Sequence, residues 1–158
     1  MTAIVCVSQN WGIGRDGALL FRISADLKRF KALTVGKTVI LGRKTLDTFP
    51  GGKPLKDRRN IVLSRRELDI PGAEIAHSFE EAAALGGDDA IVIGGASVYM
   101  ALLSRCDRVY VTKVDAAPDA DSFFPNLDDN PDWRVASESE VFEENGLKFQ
   151  FVDYVRNH

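Results

Sequence analysis

The sequence predicts an α/β fold in a single domain, with a mixed, mostly parallel sheet and helices on both faces. With 158 residues, of which 45% are hydrophobic and 27% charged, the chain is long enough to bury one sizeable core. Strand-like runs alternate with helical stretches in its first two thirds. Several strand runs are almost continuously apolar, such as residues 38–41 and 90–93, which is typical of strands covered on both faces.

Eight runs rich in Val, Ile, Phe or Tyr are bounded by Gly, Asn, Asp or Pro and are predicted as strands. They span residues 3–8, 37–42, 60–64, 73–76, 89–93, 107–114, 133–138 and 148–155. The last three follow one another without a helix between them. The sheet is therefore expected to end in antiparallel strands, whereas its earlier strands are parallel.

Four helices are predicted, over residues 24–34, 43–48, 79–85 and 96–104. In the first, Ser24 is a good N-cap, Asp26 suits the positive end of the helix dipole, and Gly36 is a stop signal. One apolar stripe at helical spacing runs along this helix, formed by Ile23, Leu27, Phe30 and Leu33. Ser78 caps the third helix, which Gly86 and Gly87 close.

The net charge of −3 hides an asymmetry. Residues 1–66 carry 14 Lys and Arg against 4 Asp and Glu, and the other 92 residues carry 6 against 19. A basic half is consistent with a solvated face, with an anionic small molecule or with nucleic acid. The pI of 5.4 argues against nucleic acid, because domains that bind it are usually strongly basic.

The remaining composition points to a cytoplasmic protein that does not enter a membrane. No apolar run approaches the roughly 20 residues of a membrane helix, and the first ten residues lack the basic leader of a secretory signal. The two cysteines, Cys6 and Cys106, make neither a disulfide framework nor a metal cluster, so we expect free thiols in a reducing compartment. No Ser-His-Asp triad and no metal-ligand spacing is evident.

Two glycine motifs could hold a nucleotide. Residues 12–17, Gly-Ile-Gly-Arg-Asp-Gly, match the letters of a dinucleotide fingerprint, but no helix opens directly after them, so a flexible loop that covers a ligand, or a plain surface turn, is favoured. Gly94 and Gly95 stand between a strand and a helix, where bare backbone can approach a phosphate. A tight turn that needs glycine dihedrals is the alternative there.

Two basic clusters follow other strands, and one acid stands alone. Residues 43–45, Arg-Lys-Thr, and 64–66, Ser-Arg-Arg, suit phosphate groups such as a ribose 2′-phosphate, or they simply face solvent. Asp26 lies among Leu20, Phe21, Ile23 and Leu27. If these side chains enclose it, its carboxylate needs a cationic or hydrogen-bonding partner, whereas an exposed first-turn acid needs no function.

Taken together, these motifs resemble dihydrofolate reductase of the bacterial chromosomal type over nearly the whole chain. Five segments stand in the family's order and spacing, with residues 124–125, Phe-Pro, as a further match: 12–17, 26–30, 39–45, 60–64 and 91–95. The resemblance implies one domain over residues 1–158, an eight-stranded sheet with four helices, and a monomer that binds antifolates. It implies hydride transfer from nicotinamide C4 of NADPH to C6 of dihydrofolate, with protonation at N5.

The resemblance also implies a substrate site. Asp26 would pair with the pterin 2-amino group and N3, with Thr112 as its hydrogen-bonding companion. Arg58 would hold the glutamate α-carboxylate, since a guanidinium suits bidentate pairing, and Lys31 and Lys53 would assist at the rim. The apolar walls would be Ile4, Val5, Leu27, Phe30, Phe49, Leu55 and Ile93.

For NADPH, the resemblance implies a longer set of residues. Along the nicotinamide ribose and the mobile loop it places Cys6, Ile13, Gly14, Arg15, Asp16, Gly17, Ala18 and Leu19. The phosphates would lie by Gly42, Arg43, Lys44 and Thr45, the 2′-phosphate by Leu63, Ser64 and Arg65, and the adenine by His77. The pyrophosphate and nicotinamide would contact Ile93, Gly94, Gly95, Ala96, Ser97, Val98 and Tyr99, with a cis peptide bond between the paired glycines.

Two departures from the family stand out. Leu20 and Phe21 replace the usual Pro-Trp before the acid, and phenylalanine has no N–H to hold a water beside the pterin, so Phe21 is expected to alter proton delivery and antifolate affinity. Ser97 stands where many relatives have a cation, which leaves Arg43 and Arg65 to favour NADPH.

Three other functions fit parts of the sequence. A pyrimidine reductase of riboflavin synthesis shares the fold and cofactor but has no reason for Asp26 and Arg58. A non-catalytic pterin- or nucleotide-binding protein would bind NADPH without turnover. A DNA-binding protein would show steep salt dependence.

Overall fold

A computed structural model describes residues 1–157 and contains twelve strands and four α-helices in that range. The strands are β1 (Thr2–Val7), β2 (Gly12–Arg15), β3 (Ala18–Leu19), β4 (Thr38–Gly42), β5 (Arg59–Leu63), β6 (Ala73–Ala76), β7 (Ile91–Gly94), β8 (Arg108–Val114), β9 (Ser122–Phe123), β10 (Trp133–Glu138), β11 (Phe142–Glu144) and β12 (Leu147–Arg156). The helices are α1 (Ser24–Thr34), α2 (Arg43–Leu46), α3 (Phe79–Gly86) and α4 (Ala96–Leu102). None of these helices is long and apolar enough to cross a membrane.

The main sheet is mixed and mostly parallel, as the sequence predicts. Its strands follow the order β10-β12-β8-β1-β7-β4-β5-β6, parallel from β8 to β6 and antiparallel where β12 meets β8 and β10. These eight strands correspond to the eight predicted runs. Short β11 adds a ninth, because Asn145 and Gly146 take positive φ angles of 52° and 81° and turn the chain into a hairpin with β12.

The glycine motif folds as part of a second, small sheet rather than as a loop. Strand β2 pairs with β3 and with β9, and Asp16 and Gly17 form the turn with φ angles of 52° and 79°. Such angles at both central residues are typical of tight hairpin turns. As the sequence predicts, no helix opens at these glycines, which excludes a Rossmann-type phosphate turn at this position.

Side chains from the main sheet fill a core on each face. Along β1, Ala3, Val5 and Val7 belong to the core that α3 and α4 cover, and Ile4 belongs to the core that α1 and α2 cover. This alternation follows from the two-residue period of a strand. A smaller apolar cluster around Ile23 joins the start of α1 to the ends of β8 and β12. The candidate site lies on the α1 face.

The start of α1 differs from the prediction. Ile23 occupies the N-cap position, its side chain makes no capping bond, and Ser24 is already helical, so the prediction that Ser24 caps the helix is wrong. The backbone N–H groups of Ser24 and Ala25 donate instead to the carboxylate of Glu144, at 2.6 and 3.2 Å. A capping group more than a hundred residues away leaves no local sequence signal.

The other helices follow their predictions with shifted ends. Ser78 caps α3 through its side chain, which accepts from the N–H of Glu81 at 3.0 Å. Helix α2 ends at Leu46 instead of residue 48, and α4 ends at Leu102, where a 3-10 turn (Leu103–Arg105) takes over. Cys106 is buried and Cys6 is half-buried, and both are free thiols.

Candidate active site

A half-buried carboxyl group lies at the centre of the site. Asp26, in the first turn of α1, accepts a hydrogen bond from the Oγ1 hydroxyl of Thr112 on β8 at 2.5 Å, and the Cys6 thiol on β1 lies close enough to influence the carboxylate. Cys6 and Thr112 are register partners, which places both groups side by side below the helix. The sequence-predicted pair of Asp26 and Thr112 is therefore in direct contact.

Burial raises the pKa of Asp26 above its ordinary value. The hydrogen bond from Thr112, the positive charge of Arg29 and the nearby thiol of Cys6 act in the opposite direction and lower this pKa. The same burial, together with the Asp26 charge, raises the pKa of the Cys6 thiol and keeps it protonated. Asp26 is thus a carboxyl group that can carry a proton closer to neutral pH than an exposed aspartate does.

Apolar side chains surround this carboxyl group. Leu27, directly after Asp26, is 46% exposed. Phe21 packs in the small cluster with Cys6 and Ala25. Most of the predicted apolar wall belongs to a single cluster on this face, formed by Ile4, Phe30, Phe49, Leu55 and Ile93.

Arg58 lies at the C-terminal end of α1, away from Asp26. Its Nε donates to Thr34 Oγ1 at 2.9 Å, its Nη1 donates to the carbonyl of Lys56 at 3.1 Å, and its guanidinium lies 5.9 Å from the ring centre of Phe30. These contacts fix the direction of the side chain. Partial burial lowers the pKa of Arg58, but an arginine remains charged at any physiological pH.

Two strand ends meet at the glycine pair. The peptide bond between Gly94 and Gly95 is cis, and Gly94 pairs with Leu41 of β4. A Cβ atom at Gly95 would lie 3.2 Å from Thr45 Oγ1, and one at Gly42 would lie 3.3 Å from Val98 Cγ2. A side chain at either glycine would therefore require its neighbour to shift by a few tenths of an ångström, and the structure brings two of the predicted phosphate-binding turns together.

The third predicted strand end lies beside them, after β5. His77 Nδ1 is 2.9 Å from the carbonyl oxygen of Ser64, and its Nε2 is 3.3 Å from Glu67. The nearby cations Arg43, Lys44 and Arg65 are exposed, and Arg43 pairs with Asp47 one helical turn on. Exposed cations on adjacent parallel strand ends form a surface suited to phosphates.

Some predicted residues lie apart from these groups. Val5 and Ile13 have their side chains in the core of the opposite face, so only their backbone can reach a ligand on the α1 face. Lys31 and Lys53 are exposed. A surface depression of about 620 Å³ at Trp11, Lys113 and Phe149 contains none of the predicted residues.

The β2–β3 hairpin is tied to the segment before β9. The N–H of Asp121 donates to the carbonyl of Gly14 at 2.9 Å, and Asp121 Oδ2 accepts from the N–H of Asp16 at 2.9 Å. At the far side of the hairpin, Leu19 is 69% exposed. The hairpin therefore presents an exposed apolar side chain while a single aspartate holds its turn.

Comparison with known proteins agrees with this geometry. The family model described as dihydrofolate reductase matches residues 1–156. The chain belongs to the dihydrofolate reductase family. A dihydrofolate reductase from Neisseria meningitidis serogroup B is 39% identical over 160 residues, covering 99% of this chain and 98% of the relative. One from Mycobacterium tuberculosis is 37% identical over 150 residues, covering 92% and 91%.

A solved structure shows the same fold. Dihydrofolate reductase from Enterococcus faecalis, complexed with NADP(H) and RAB-propyl, superposes with a TM-score of 0.88 and is 30% identical in sequence. The match covers 99% of this chain and 96% of that structure's chain. Members of the dihydrofolate reductase family are NADPH-dependent oxidoreductases. The glycine-lined strand ends and the exposed cations described above fit the phosphates of that cofactor, because they offer close backbone approach and positive charge.

Three residues near the site escaped the sequence analysis: Arg29, Asp121 and Glu144. The sequence contains a weak signal for Arg29, because this residue stands three positions after Asp26 and therefore shares its side of α1. Asp121 and Glu144 reach the site only through tertiary contacts, and they stand among many acids in the second half of the chain.

Proposed function

We propose that this dihydrofolate reductase family member reduces 7,8-dihydrofolate to 5,6,7,8-tetrahydrofolate, consuming one NADPH and one proton. When bound, NADPH supplies the hydride from nicotinamide C4, which adds at pterin C6, while the proton adds at N5. The observation that carries the proposal is the half-buried Asp26, hydrogen-bonded to Thr112 at the start of α1, with an apolar cluster on the same face of the sheet and Arg58 at the other end of the helix. This arrangement offers an acceptor for the pterin and a cation for its glutamate.

Asp26 and Thr112 orient the pterin in this scheme. The ionised carboxylate has two oxygens and takes a bidentate pair of donors from the 2-amino group and N3, since an ionised acid is an acceptor only. Thr112 occupies one side of the carboxylate and so leaves a fixed direction for the ligand. The apolar wall covers the pterin and the ring that follows it, and excludes water there.

Arg58 holds the other end of the substrate. Its Nε is bonded to Thr34 and its Nη1 to the Lys56 carbonyl, so the guanidinium is oriented before the ligand arrives. Pre-orientation reduces the entropy that binding costs. Lys31 and Lys53 add positive charge at the rim. Arg58 and Asp26 lie at opposite ends of α1, as a long substrate with a carboxylate tail requires.

The cofactor contacts are assigned to the strand ends. Gly42, Gly94 and Gly95 allow the pyrophosphate close to the backbone, and Arg43, Lys44 and Arg65 supply charge for the phosphates, including the 2′-phosphate beside Ser64. The β2–β3 hairpin, with Leu19 exposed, covers the nicotinamide side. The cofactor provides the reducing chemistry, and the protein provides orientation.

Protonation is the step in which this chain departs from its relatives. Phe21 packs against the apolar cluster around Ile23 and carries no donor for a water beside N5. The raised pKa of Asp26 supports it as the group through which a proton enters the cleft. Asp26 and Arg58 also favour a folate over the substrate of a pyrimidine reductase, which has no glutamate tail.

The test is NADPH oxidation by the purified protein with and without dihydrofolate, followed by absorbance. We expect oxidation only with dihydrofolate, and a fall of roughly 100-fold or more in turnover for Asp26→Asn near neutral pH, the scale of a lost acid–base group. NADPH affinity, measured by fluorescence titration, stays unchanged.

The matched control is Asp89→Asn, an exposed aspartate before β7, which leaves turnover unchanged. Dihydrofolate-independent oxidation, or full turnover by Asp26→Asn, contradicts the proposal. NADPH binding without any turnover supports a non-catalytic binding protein instead.

A further inference from the structure

Arg29 is attached to the sheet next to the candidate catalytic acid. It stands three residues after Asp26 on α1, so the two side chains leave the same side of the helix. Its Nη2 donates to Asp153 Oδ1 on β12 at 2.8 Å, and its guanidinium lies 4.4 Å from the ring centre of Phe151 and 5.4 Å from that of Tyr110. The Arg29 and Asp153 side chains are only 22% and 17% exposed.

The strand register places these contacts beside the bond between Asp26 and Thr112. In the antiparallel pair of β8 and β12, Thr112 lies opposite Phe151, and Tyr110 lies opposite Asp153. Residues two apart in a strand share a face, so all four side chains form one patch beneath α1. The helix therefore has two polar attachments to this patch, Asp26 through Thr112 and Arg29 through Asp153.

Arg29 is also the cation that acts on the Asp26 carboxylate. The groups that face Asp26 are the Cys6 thiol from β1, the Thr112 hydroxyl from β8 and Arg29 from α1 itself, and the buried phenol of Tyr99 from α4 is close enough to be affected by its charge. Of these, Arg29 alone carries a permanent charge. Because Arg29 and Asp26 are both partly buried, water and salt screen the attraction between their charges less than they screen an exposed pair.

We propose that Arg29 is a positioning residue: held by Asp153 and Phe151, it fixes α1 on the β8–β12 patch and stabilises the ionised form of Asp26. The inference rests on the proposed function, since the role of Asp26 belongs to it. Asp153 acts on Asp26 in the opposite direction to Arg29: its negative charge partly neutralises Arg29 and so weakens the stabilisation of the ionised Asp26. If the Arg29–Asp153 pair only held α1 in place, removal of either residue would have the same effect on Asp26.

The test measures the pKa of Asp26 directly, by NMR titration of the carboxyl carbon in the ligand-free protein. Arg29→Gln is expected to raise this pKa, because the cation is gone. Asp153→Asn is expected to lower it, because Arg29 is then less neutralised. The midpoint of the pH profile of turnover moves in the same two opposite directions. A structural clamp predicts equal shifts of one sign, or none, and either result overturns the proposal.

Two further variants separate charge from packing. Arg29→Lys keeps the charge without the planar group that lies on Phe151. We therefore expect the pKa of Asp26 to stay close to its wild-type value, while kcat falls more than KM changes because α1 is less well positioned. Arg108→Gln is the matched control: Arg108 also approaches Asp153, at 3.6 Å, but from β8, and its loss shifts the pKa less than Arg29→Gln does. An equal or larger shift for Arg108→Gln overturns the proposal.

The outcomes for the two proposals are distinct. If Asp26→Asn keeps full turnover, the proposed role of Asp26 fails, whatever the NMR titrations show. If Asp26→Asn loses turnover but Arg29→Gln leaves the pKa of Asp26 unmoved in a folded protein, only the role of Arg29 fails. Should Arg29→Gln not fold, Asp153→Asn still decides the sign of the effect: a lowered pKa of Asp26 supports the proposal, and a raised or unmoved pKa overturns it.

Discussion

At the residue scale, the site holds an acid in surroundings that oppose its charge. Burial is the largest influence on Asp26 and raises its pKa, while Thr112, Arg29 and Cys6 only reduce that effect. The charged form is therefore less stable in the folded protein than in the unfolded chain. Sites arranged for function commonly cost stability in this way.

The stability of the protein is expected to show this cost. Because the folded-state pKa of Asp26 is raised, its contribution to stability is present while it is protonated and is lost as the pH rises through that value. Asp26→Asn, which stays neutral, is then expected to be more stable than the wild type at pH 7. Urea denaturation measures the difference, which shrinks as the pH falls and is gone below the pKa that Asp26 has in the unfolded chain. A less stable variant at pH 7 contradicts this expectation.

Arg58 gives a second prediction at this scale. Arg58→Leu removes a charge-assisted pair with the substrate glutamate and is expected to weaken dihydrofolate binding by about tenfold or more, with NADPH affinity unchanged. Isothermal titration with each ligand measures both. The neighbouring Arg59, which pairs with Glu74 on the surface, provides the control Arg59→Leu, which leaves both affinities unchanged. Equal losses for both ligands in Arg58→Leu would identify a structural arginine.

The structure tests the predicted arrangement of the site at several residues. Asp26 and Thr112 were expected to meet, and they do, at 2.5 Å. Val5 was expected to line the same wall, but the alternation of β1 turns its side chain to the opposite core. Arg29 could not be paired in advance with Asp153, because 124 residues separate them and only the register of β8 and β12 brings Asp153 under α1.

At the element scale, α1 carries the catalytic candidate, and distant groups hold both of its ends. Glu144 accepts hydrogen bonds from the first two N–H groups, and Arg58 bonds to Thr34 in the last turn. A helix of 11 residues is marginal by itself, so its position depends on such tertiary contacts. The stability of the first turn of α1 therefore depends on the β11–β12 hairpin, which carries Glu144.

Removal of the Glu144 cap tests this dependence. Glu144→Gln is expected to lower Tm and to speed hydrogen exchange in the first turn of α1, because the negative charge at the helix N-terminus is lost. The pKa of Glu144 is lowered by its bond to the N–H of Ser24, so the stabilisation weakens as the pH falls toward that pKa. Glu143→Gln is the adjacent, exposed control. Unchanged exchange in residues 24–27 contradicts a capping role.

At the scale of the whole molecule, the uneven charge favours anionic ligands. The first 66 residues carry an excess of 10 positive charges, and they contribute Arg58, Arg43, Lys44 and Arg65 to the proposed site. The surplus of 13 negative charges lies in the later 92 residues. A local positive field of this kind steers anions to a site although the protein as a whole is acidic.

Salt is expected to weaken this attraction. Raising the ionic strength from about 0.05 to 0.5 M shortens the screening length roughly threefold, so the KM values for NADPH and dihydrofolate rise several-fold. Steady-state kinetics across the salt range measure this. Binding of an uncharged pteridine serves as the control, since it lacks the glutamate and should respond little. Identical responses for charged and uncharged ligands would show that salt acts on the fold instead.

The sequence by itself determined the α/β fold class, the positions of eight strands and four helices, and the residue types of the site, because these follow from local periodicity and motif spacing. Only the tertiary structure decided that the glycine motif is a β-hairpin tied to Asp121, that Glu144 caps α1, and that Arg29 meets Asp153 beside Asp26. These contacts join residues about 100 or more positions apart. They depend on strand order and register, which the whole core fixes at once.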